Sequence, residues 1–499
     1  MELLPAERDV RIVQQKRALD EGALRKHDAA IIVCPRERAE ALIRELPFAA
    51  LWQRLYREAH ERGPVTVLAA RVTPAALPVV IAFAKNTGST FDRLTLAARA
   101  WKELHAPPKG RVLFGTRGLD TRLAATMLEA LTAAALAATA PMPTLKSKAP
   151  KPAVLGALTL IHDGPALDTS RSLAIDRGNH LARWLTVLPP NVLNSTSYPR
   201  ALRELARKKR WRFSFLDEPA LRRQKAGAFL AVSRANDARN AGIVRLRYRA
   251  ATRRKTNVRL ALVGKGICFD TGGINLKAHK GMYQMHEDMQ GSAVAVGTLL
   301  ALSELEAPYD IDCWLAITEN ETGPRAYRPQ EVVRAANGVT IQVAHSDAEG
   351  RMVLADTLAL ATREKPDLVL DFATLTGACV NALTERYSGA FTNRPDWHAT
   401  LERAGRDSGE RVWPFPMDED YDCDLDSPIA DVLQCTPDSK GDHILAARFL
   451  NRFVPAEVPW VHIDLAASNR SGGLAHIPTD FTGFGVRYAT QLLLDGGLL

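Results

Sequence analysis

The sequence has few cysteines and no long apolar run, and these two absences exclude several classes of protein. The six cysteines of the 499-residue chain are scattered, without the spacing of a zinc ribbon or the density of a disulfide framework. No segment reaches the ~18 uninterrupted apolar residues of a membrane span. The N-terminal MELLPAERDV carries acids where a signal peptide needs a basic and then an apolar stretch. We therefore expect a cytoplasmic protein without a membrane partner and with reduced, mostly buried thiols.

Length and composition predict a globular chain of two domains. A chain of 499 residues exceeds the usual size of one domain, and 46% hydrophobic residues suffice for sizeable cores. Residues 1–165 alternate apolar runs with helical patterns, which predicts an α/β domain with strands at 29–34, 65–70, 111–115 and 153–161. Helical spacing over 166–190 predicts a linker helix, which ends at two prolines. Near-continuous apolar strands between helices over 191–499 predict a second α/β domain with a mostly parallel sheet.

Positive charge is concentrated in one part of the chain. The net charge is +9, and the basic region 203–259 holds RELARKKRWR, LRRQK and RLRYRAATRRK with few acids between them. A basic face attracts phosphates and nucleic acid through counterion release. However, no recognised nucleic-acid fold accompanies this charge. The sequence therefore favours a solvated surface, or an oligomer contact facing acids, over a nucleic-acid site.

Two short stretches of the second domain concentrate acids and lysines. They are GKGICFDTGGINLK at 264–277 and HSDAEGR at 345–351. Asp288 lies between these two stretches. The candidate ligands are therefore one lysine and four carboxylates: Lys265, Asp270, Asp288, Asp347 and Glu349. Asp347 and Glu349 are two residues apart, so on an extended backbone their side chains would point to the same side.

Four converging carboxylates would repel one another strongly unless cations lie between them. Hard oxygen ligands without cysteine suit zinc, manganese, magnesium or cobalt in a two-ion site. A phosphate-binding P-loop is excluded as the role of Lys265, because GxxxxGK[ST] is absent. The residues therefore predict metal-assisted hydrolysis, and by themselves they leave open a peptidase or another two-metal hydrolase such as a phosphoesterase.

An ordered set of motifs resembles the leucyl (cytosol) aminopeptidase family. The family signature is Asn-Thr-Asp-Ala-Glu-Gly-Arg, and the chain keeps five of its seven residues, from Asp347 through Arg351. The upstream stretch matches the family pattern GKG-x-x-x-D-S-G-G-x-x-x-K, with Thr271 in place of serine. The resemblance continues through ENETGPRAYRP, DFATLTGA, WVHIDLAAS and TGFGVR, so it covers roughly the C-terminal three-fifths of the chain.

This resemblance implies an aminopeptidase with two divalent ions per subunit, manganese or zinc foremost and magnesium or cobalt as alternatives. Asp270 and Glu349 resemble the carboxylates that bridge both ions. Asp347 resembles a ligand of one ion, and Lys265 and Asp288 resemble the ligands of the other ion. A lysine can bind a cation only as the neutral amine, so the resemblance requires its pKa to be depressed by the ions.

Two further residues correspond to catalytic positions of the family. Lys277 resembles the lysine that stabilises the oxyanion of the tetrahedral intermediate. Arg351 resembles the arginine that helps to hold a bicarbonate ion, the proposed proton shuttle. The alternative for Arg351 is a simple partner of nearby acids.

The resemblance also names residues that border the substrate. Met285 matches a position that lines the pocket for the first side chain, although a lone methionine is more often part of a core. Thr374, Leu375 and Gly377 match the segment beside the substrate. His345 replaces the family asparagine, and three roles compete for it: reshaping the pocket, packing as a satisfied histidine, or joining the metal ligands. Other departures are Gln290, and the stretch SKGDHILAARFL, which adds Asp442 and His443.

The expected partners are peptides and further copies of the chain. The resemblance implies a homohexamer. It also implies that residues 1–165 serve assembly or regulation, that residues 191–499 form the catalytic domain, and that the helix at 166–190 links these two domains. A DNA-binding or regulatory role on the same scaffold is the alternative from another class, and only the basic region 203–259 supports it.

Overall fold

The computed structural model of the chain describes residues 2–72, 76–104, 110–148, 155–251, 256–438 and 440–499. It confirms the predicted mixed α/β fold with mostly parallel sheets, arranged in two domains. Parts of three sequence features lie outside the described residues. They are the start of the strand predicted at 153–161, residues 252–255 of the basic region, and Ser439.

The N-terminal half builds a six-stranded sheet in the order β1-β6-β5-β2-β4-β3. Its strands are β1 (Arg11–Gln15), β2 (Ala29–Pro35), β3 (Val67–Val72), β4 (Leu77–Ala84), β5 (Gly110–Thr116) and β6 (Leu155–Ile161). All neighbours pair in parallel except β3, which is antiparallel to β4. The helices of this half are α1 (Glu21–Leu24), α2 (Ala39–Ile43), α3 (Ala49–His60), α4 (Thr90–Lys102) and α5 (Thr121–Thr139). Four strands were predicted from the sequence; β1 and β4 were not.

A long helix, α6 (Ser170–Val187), follows this sheet, and eleven of its 18 residues are buried. It ends where Pro189 and Pro190 begin, because proline cannot donate the backbone hydrogen bond that would extend the helix. The helix packs against α5 and against α11 (Gln290–Glu304) of the second half, and therefore lies between the two sheets.

The second half builds an eight-stranded sheet in the order β15-β14-β17-β13-β9-β10-β8-β7. The strands of this half are β7 (Arg212–Asp217), β8 (Gly242–Tyr248), β9 (Arg259–Asp270), β10 (Asp310–Asn320), β11 (Val332–Arg334), β12 (Thr340–Gln342), β13 (Leu368–Ala373), β14 (Ser388–Thr392), β15 (Val412–Pro414), β16 (Val432–Leu433) and β17 (Trp460–Asp464). The remaining three, β11, β12 and β16, form a small separate sheet.

The remaining helices lie mainly on the two faces of this sheet, which buries its apolar strands from both sides. They are α7 (Ser197–Lys209), α8 (Glu218–Arg223), α9 (Gly227–Ser233), α10 (His279–Met282), α12 (Glu349–Thr362), α13 (Gly377–Leu383), α14 (His398–Ser408), α15 (Asp442–Asn451) and α16 (Val486–Asp495).

The central strands of the large sheet position the candidate site. β17, β13, β9 and β10 are mutually parallel, so their carboxyl ends lie side by side. Asp270 at the end of β9 is in register with Asn320 of β10, and Asp464 of β17 with Ala373 of β13. Ligand sites of open α/β sheets gather at this edge.

Much of the charge of the basic region 203–259 is neutralised within the chain. Arg239 pairs with Glu218 at 2.7 Å, and Arg245 pairs with Asp312 at 2.7 Å and Glu364 at 2.9 Å. These contacts support the interpretation of this region as an ordinary surface. All six cysteines are free and five of them are buried. Among the helices within the described ranges, none combines the length and apolar character that a membrane crossing requires.

Candidate active site

A cavity of about 730 Å³ opens at the carboxyl edge of the large sheet. Of the twelve residues singled out from the sequence, eleven line it: Lys265, Asp270, Lys277, Met285, Asp288, Asp347, Glu349, Arg351, Thr374, Leu375 and Gly377. Residues from chain segments up to 112 positions apart, Lys265 to Gly377, therefore meet in one place. His345 is not among the lining residues.

Three carboxylates form the centre of the site. Asp270, Asp347 and Glu349 each present an oxygen within 4.8 Å of the others. Asp270 and Glu349 are 2% and 1% exposed, and burial together with the charge of Glu349 raises the pKa of Asp270 to about 7. Such close burial of like charges is unfavourable unless positive charge accompanies it.

The local structure behind Asp347 and Glu349 differs from the predicted one. The extended backbone expected between them was wrong: Asp347 lies in a turn and Glu349 is the first residue of α12. The segment before them, β12, belongs to the small sheet, so these ligands do not follow a strand of the large sheet. The carboxylates of Asp347 and Glu349 lie close together because the turn that contains Asp347 leads directly into the first residue of α12.

Lys277 contacts two of the three central carboxylates. Its Nζ lies 2.9 Å from Asp270 Oδ2 and forms an ion pair with Asp347 Oδ1. Burial opposes its positive charge, but Asp270, Glu349 and Asp347 outweigh burial and raise its pKa. Gly272, with φ +83°, permits the turn that returns Lys277 to the cluster, since a Cβ there would lie 2.5 Å from the carbonyl oxygen of Asn275.

Lys265 connects the central cluster to Asp288. Its Nζ donates to Asp288 Oδ1 at 2.7 Å and to the Thr374 carbonyl at 2.8 Å, and lies 2.9 Å from Glu349 Oε1. Burial opposes the charge on Lys265, but Asp288, Glu349 and Asp270 raise its pKa overall. Burial likewise raises the pKa of Asp288 well above its ordinary value, against the effect of Lys265.

The donor set fits divalent cations. Asp288 Oδ2 and Glu349 Oε2 are buried and have no hydrogen-bond partner among the described residues. A buried carboxylate oxygen without a partner is costly, and a cation is the partner that such oxygens accept. Lys265 and Lys277 supply two positive charges to the four carboxylates. A bound cation could take over that function if Lys265 released its proton.

Arg351 is held by contacts that the sequence did not reveal. Its Nη2 donates to both oxygens of Asp442, at 2.8 and 2.7 Å, and its Nη1 donates to the Gln434 carbonyl at 3.2 Å. Its Nε is buried without a partner in the described part of the chain. The guanidinium therefore has an acid partner and one free donor beside the cavity.

Asn320 supports the cluster and was missed in the sequence. Its amide donates to Asp270 Oδ1 at 2.8 Å and to the Ser346 carbonyl at 3.0 Å, so it ties the two ligand stretches together. The phenol of Tyr327 donates to the same Ser346 carbonyl. The position of Asn320 at the end of β10, in the quoted ENETGPRAYRP motif, was the signal that could have identified it.

Comparison with known proteins agrees with this geometry. Residues 180–490 match the cytosol aminopeptidase family, catalytic domain. The chain belongs to the cytosol aminopeptidase family. The residues that line the cavity at the edge of the large sheet lie within or beside this matched segment, which makes the cavity the candidate active site.

Two curated members of the family are 40% and 41% identical to this chain over the aligned residues. A probable cytosol aminopeptidase of Stutzerimonas stutzeri (strain A1501) is 41% identical over 357 residues, which cover 70% of each protein. One from Wolbachia pipientis wMel is 40% identical over 317 residues, 63% of each protein. The alignments therefore span about two-thirds of these relatives.

Solved structures show the same fold over nearly the whole chain. A cytosol aminopeptidase from Coxiella burnetii is 24% identical, with a TM-score of 0.79, and the match covers 97% of this chain and 98% of that one. A tomato leucine aminopeptidase variant is also 24% identical, with a TM-score of 0.84 and 98% coverage of both chains. The likeness includes the six-stranded sheet, which lies before the segment 180–490 that the family model matches.

His345 replaces the family asparagine, and its ring lies outside the cavity. The side chain is exposed, and its Nδ1 accepts from the backbone N–H of Asp347 at 3.3 Å. An asparagine can accept the same bond two residues ahead through its side-chain oxygen.

We therefore expect His345→Asn to keep the relative kcat/KM for large and small first residues within about 2-fold, because the imidazole does not shape the pocket. A panel of amino-acid amides measures this. A shifted preference would mean that His345 reaches the substrate, and lost metal would indicate ligation.

Asp464 is a second residue that the sequence did not single out. It lines the cavity, is 2% exposed, and accepts from Leu375 N–H at 3.1 Å and from the Thr376 hydroxyl at 2.6 Å. It thereby fixes the loop whose Thr374 carbonyl accepts from Lys265.

Asp464→Asn should weaken metal binding by roughly 10-fold, because supporting contacts of this kind typically contribute 10–100-fold to metal affinity. The amide keeps one acceptor oxygen, but its NH2 group cannot accept the hydrogen bond that the Thr376 hydroxyl donates to Asp464 Oδ2. Metal titration of the purified variant checks this, with Asp464→Glu as the partial-rescue control. Unchanged metal affinity in Asp464→Asn would contradict the positioning role.

Proposed function

We propose that the chain is a two-metal aminopeptidase that releases the N-terminal residue of peptides. The observation that carries this proposal is the convergence of Asp270, Asp347 and Glu349 within 4.8 Å. In the assignment that the family resemblance implies, Asp270 and Glu349 contact both ions, Asp347 one ion, and Lys265 and Asp288 the other. Lys265 would bind as the neutral amine, so binding of the ion would release its proton.

The residues of the site support hydrolysis of a peptide bond. When bound, the two ions would act as Lewis acids toward the scissile carbonyl and lower the pKa of a water molecule. Lys277 lies at the carboxylate cluster and is the cation available to stabilise the oxyanion of the tetrahedral intermediate. Arg351, whose Nε has no partner among the described residues, is the residue that would hold a bicarbonate ion, while Asp442 fixes its orientation.

Selectivity for a free N-terminus would follow from the charge of the site. The substrate's α-amine would bind one ion among the carboxylates, and a blocked amine cannot do so. Leucine amide should therefore be hydrolysed with manganese or zinc added, whereas N-acetyl-leucine amide should not. Equal hydrolysis of both would contradict the aminopeptidase assignment, and hydrolysis of phosphate esters in their place would favour the alternative two-metal hydrolase.

The remaining family properties complete the proposal. Manganese or zinc is the expected resident metal, the expected location is the cytoplasm, and the expected assembly is a homohexamer to which residues 1–165 contribute. Sedimentation of the purified protein measures the last of these against the 54.7 kDa chain mass. A monomer at micromolar concentration would contradict the assembly.

A further inference from the structure

The rim of the active-site cavity carries charge opposite to that of its carboxylate cluster. Arg386 and Arg470 both line the cavity. Arg386 is exposed and its Nη1 reaches only the Thr384 hydroxyl, at 3.4 Å, while Arg470 Nη1 donates to the Gly473 carbonyl. Among the residues that the structure describes, no ion pair links either guanidinium to an acid. Two unneutralised cations therefore face the space in which a peptide would lie.

The turn that presents Arg386 is held in an unusual conformation. Helix α13 begins at Gly377, beside the substrate loop, and ends at Leu383. Thr384 then adopts φ +56° and ψ −169°, a left-handed conformation that a β-branched residue rarely takes. Backbone strain of this kind persists only where the surrounding structure enforces it, and it is concentrated at ligand sites. The surrounding structure therefore holds the backbone of this turn, from which Arg386 projects, in one conformation.

The acids near the rim do not cancel these charges. Glu385 is exposed and also lines the cavity, and among the described residues it forms no ion pair with Arg386 or Arg470. Glu287 is partly buried, and its carboxylate accepts from the amides of Asn469 at 2.7 Å and Gln290 at 3.3 Å. The other polar groups at this end, those of Ser468, Asn469 and Ser471, are neutral.

From this charge distribution we infer that Arg386 and Arg470 bind a carboxylate of the peptide portion that leaves, so that the enzyme favours short peptides with a negative charge after the scissile bond. The inference rests on the proposed function, because the N-terminal amine must lie at the carboxylate cluster for the leaving portion to face the rim. A cavity of about 730 Å³ falls within the roughly 300–1,000 Å³ of small-ligand pockets, which suits a short peptide.

The carboxylate could be the C-terminus of a dipeptide or an acidic side chain. Two pairs of substrates distinguish these sources: Leu-Ala against Leu-Ala-amide, and Leu-Glu-amide against Leu-Gln-amide. In the metal-loaded wild-type enzyme, the charged member of at least one pair should have the lower KM, by about 5-fold for a partly exposed ion pair. The difference should shrink at high salt because the rim is solvated.

Variants assign the effect to the arginines. Arg386→Gln combined with Arg470→Gln should raise the KM of the charged substrate to that of its neutral partner while kcat stays unchanged, as expected when binding acts equally on ground and transition states. Arg386→Glu should reverse the preference and favour Leu-Lys-amide. Arg403→Gln, an exposed arginine that does not line the cavity, is the charge-matched control and should retain the wild-type preference.

Equal KM values within both pairs in the wild-type enzyme would overturn the inference, as would a preference that survives the double substitution. Either result leaves hydrolysis of leucine amide intact, so it is distinguishable from failure of the proposed function. If leucine amide itself is not hydrolysed, the proposed function fails first.

Discussion

Replacing Glu349 or Asp270 with alanine should abolish turnover of leucine amide. Each carboxylate is assigned to both ions, and each is almost fully buried within the cluster. Removal of either would take one ligand from both ions at once, so at least one ion should be lost. The change in rate therefore reflects lost metal rather than a weakened contact with substrate.

Metal analysis of the purified Glu349→Ala and Asp270→Ala variants measures this effect directly. Glu58→Ala, an exposed acid on α3 in the N-terminal half, is the matched control and should keep both ions and full activity. Circular dichroism shows whether each variant is folded. A folded Glu349→Ala enzyme with wild-type activity and two ions per chain would refute the ligand assignment.

Lys277→Ala should lower kcat by roughly 100-fold or more, the effect typical of losing one oxyanion donor. The ammonium acts mainly on charge that develops in the transition state, so kcat should fall far more than KM rises. Because Lys277 also neutralises Asp270 and Asp347, its removal makes the cluster more negative and should not reduce its affinity for cations.

Steady-state kinetics at saturating metal separate these contributions. Lys277→Arg retains the positive charge but changes its shape, and should recover part of the lost rate. Metal content serves as the internal control and should equal that of the wild type. A defect confined to KM, or one removed by adding more metal, would contradict the role in the chemical step.

The ordered motifs and their family resemblance were sufficient to predict which candidate ligands would lie close together. Lysine and acids in the ordered motifs predicted that Lys265, Asp270 and Glu349 would meet, and they line one cavity. The parallel arrangement of β9, β10, β13 and β17 followed from their apolar runs, since strands buried on both faces need such composition.

Contacts that depend on tertiary placement could not be predicted. Asn320 ends β10 and Asp464 ends β17. These residues reach the site only because β10 pairs in parallel with β9, and β17 with β13. Asp442 is distant from Arg351 in sequence. It accepts from Arg351 because it is the first residue of α15, and the start of this helix lies beside the arginine. The turn at Asp347 overrode the extended backbone inferred from spacing, because Glu349 begins a helix.

Titration of metal into the stripped enzyme tests the central claim most directly. The protein is dialysed against chelator, and manganese or zinc is added while bound ions per chain and leucine amide hydrolysis are measured in parallel. The account predicts negligible activity without metal, two ions bound at saturation, and activity that rises with their occupancy. Full activity in the metal-free enzyme, or saturation at two ions with no hydrolysis, would contradict it.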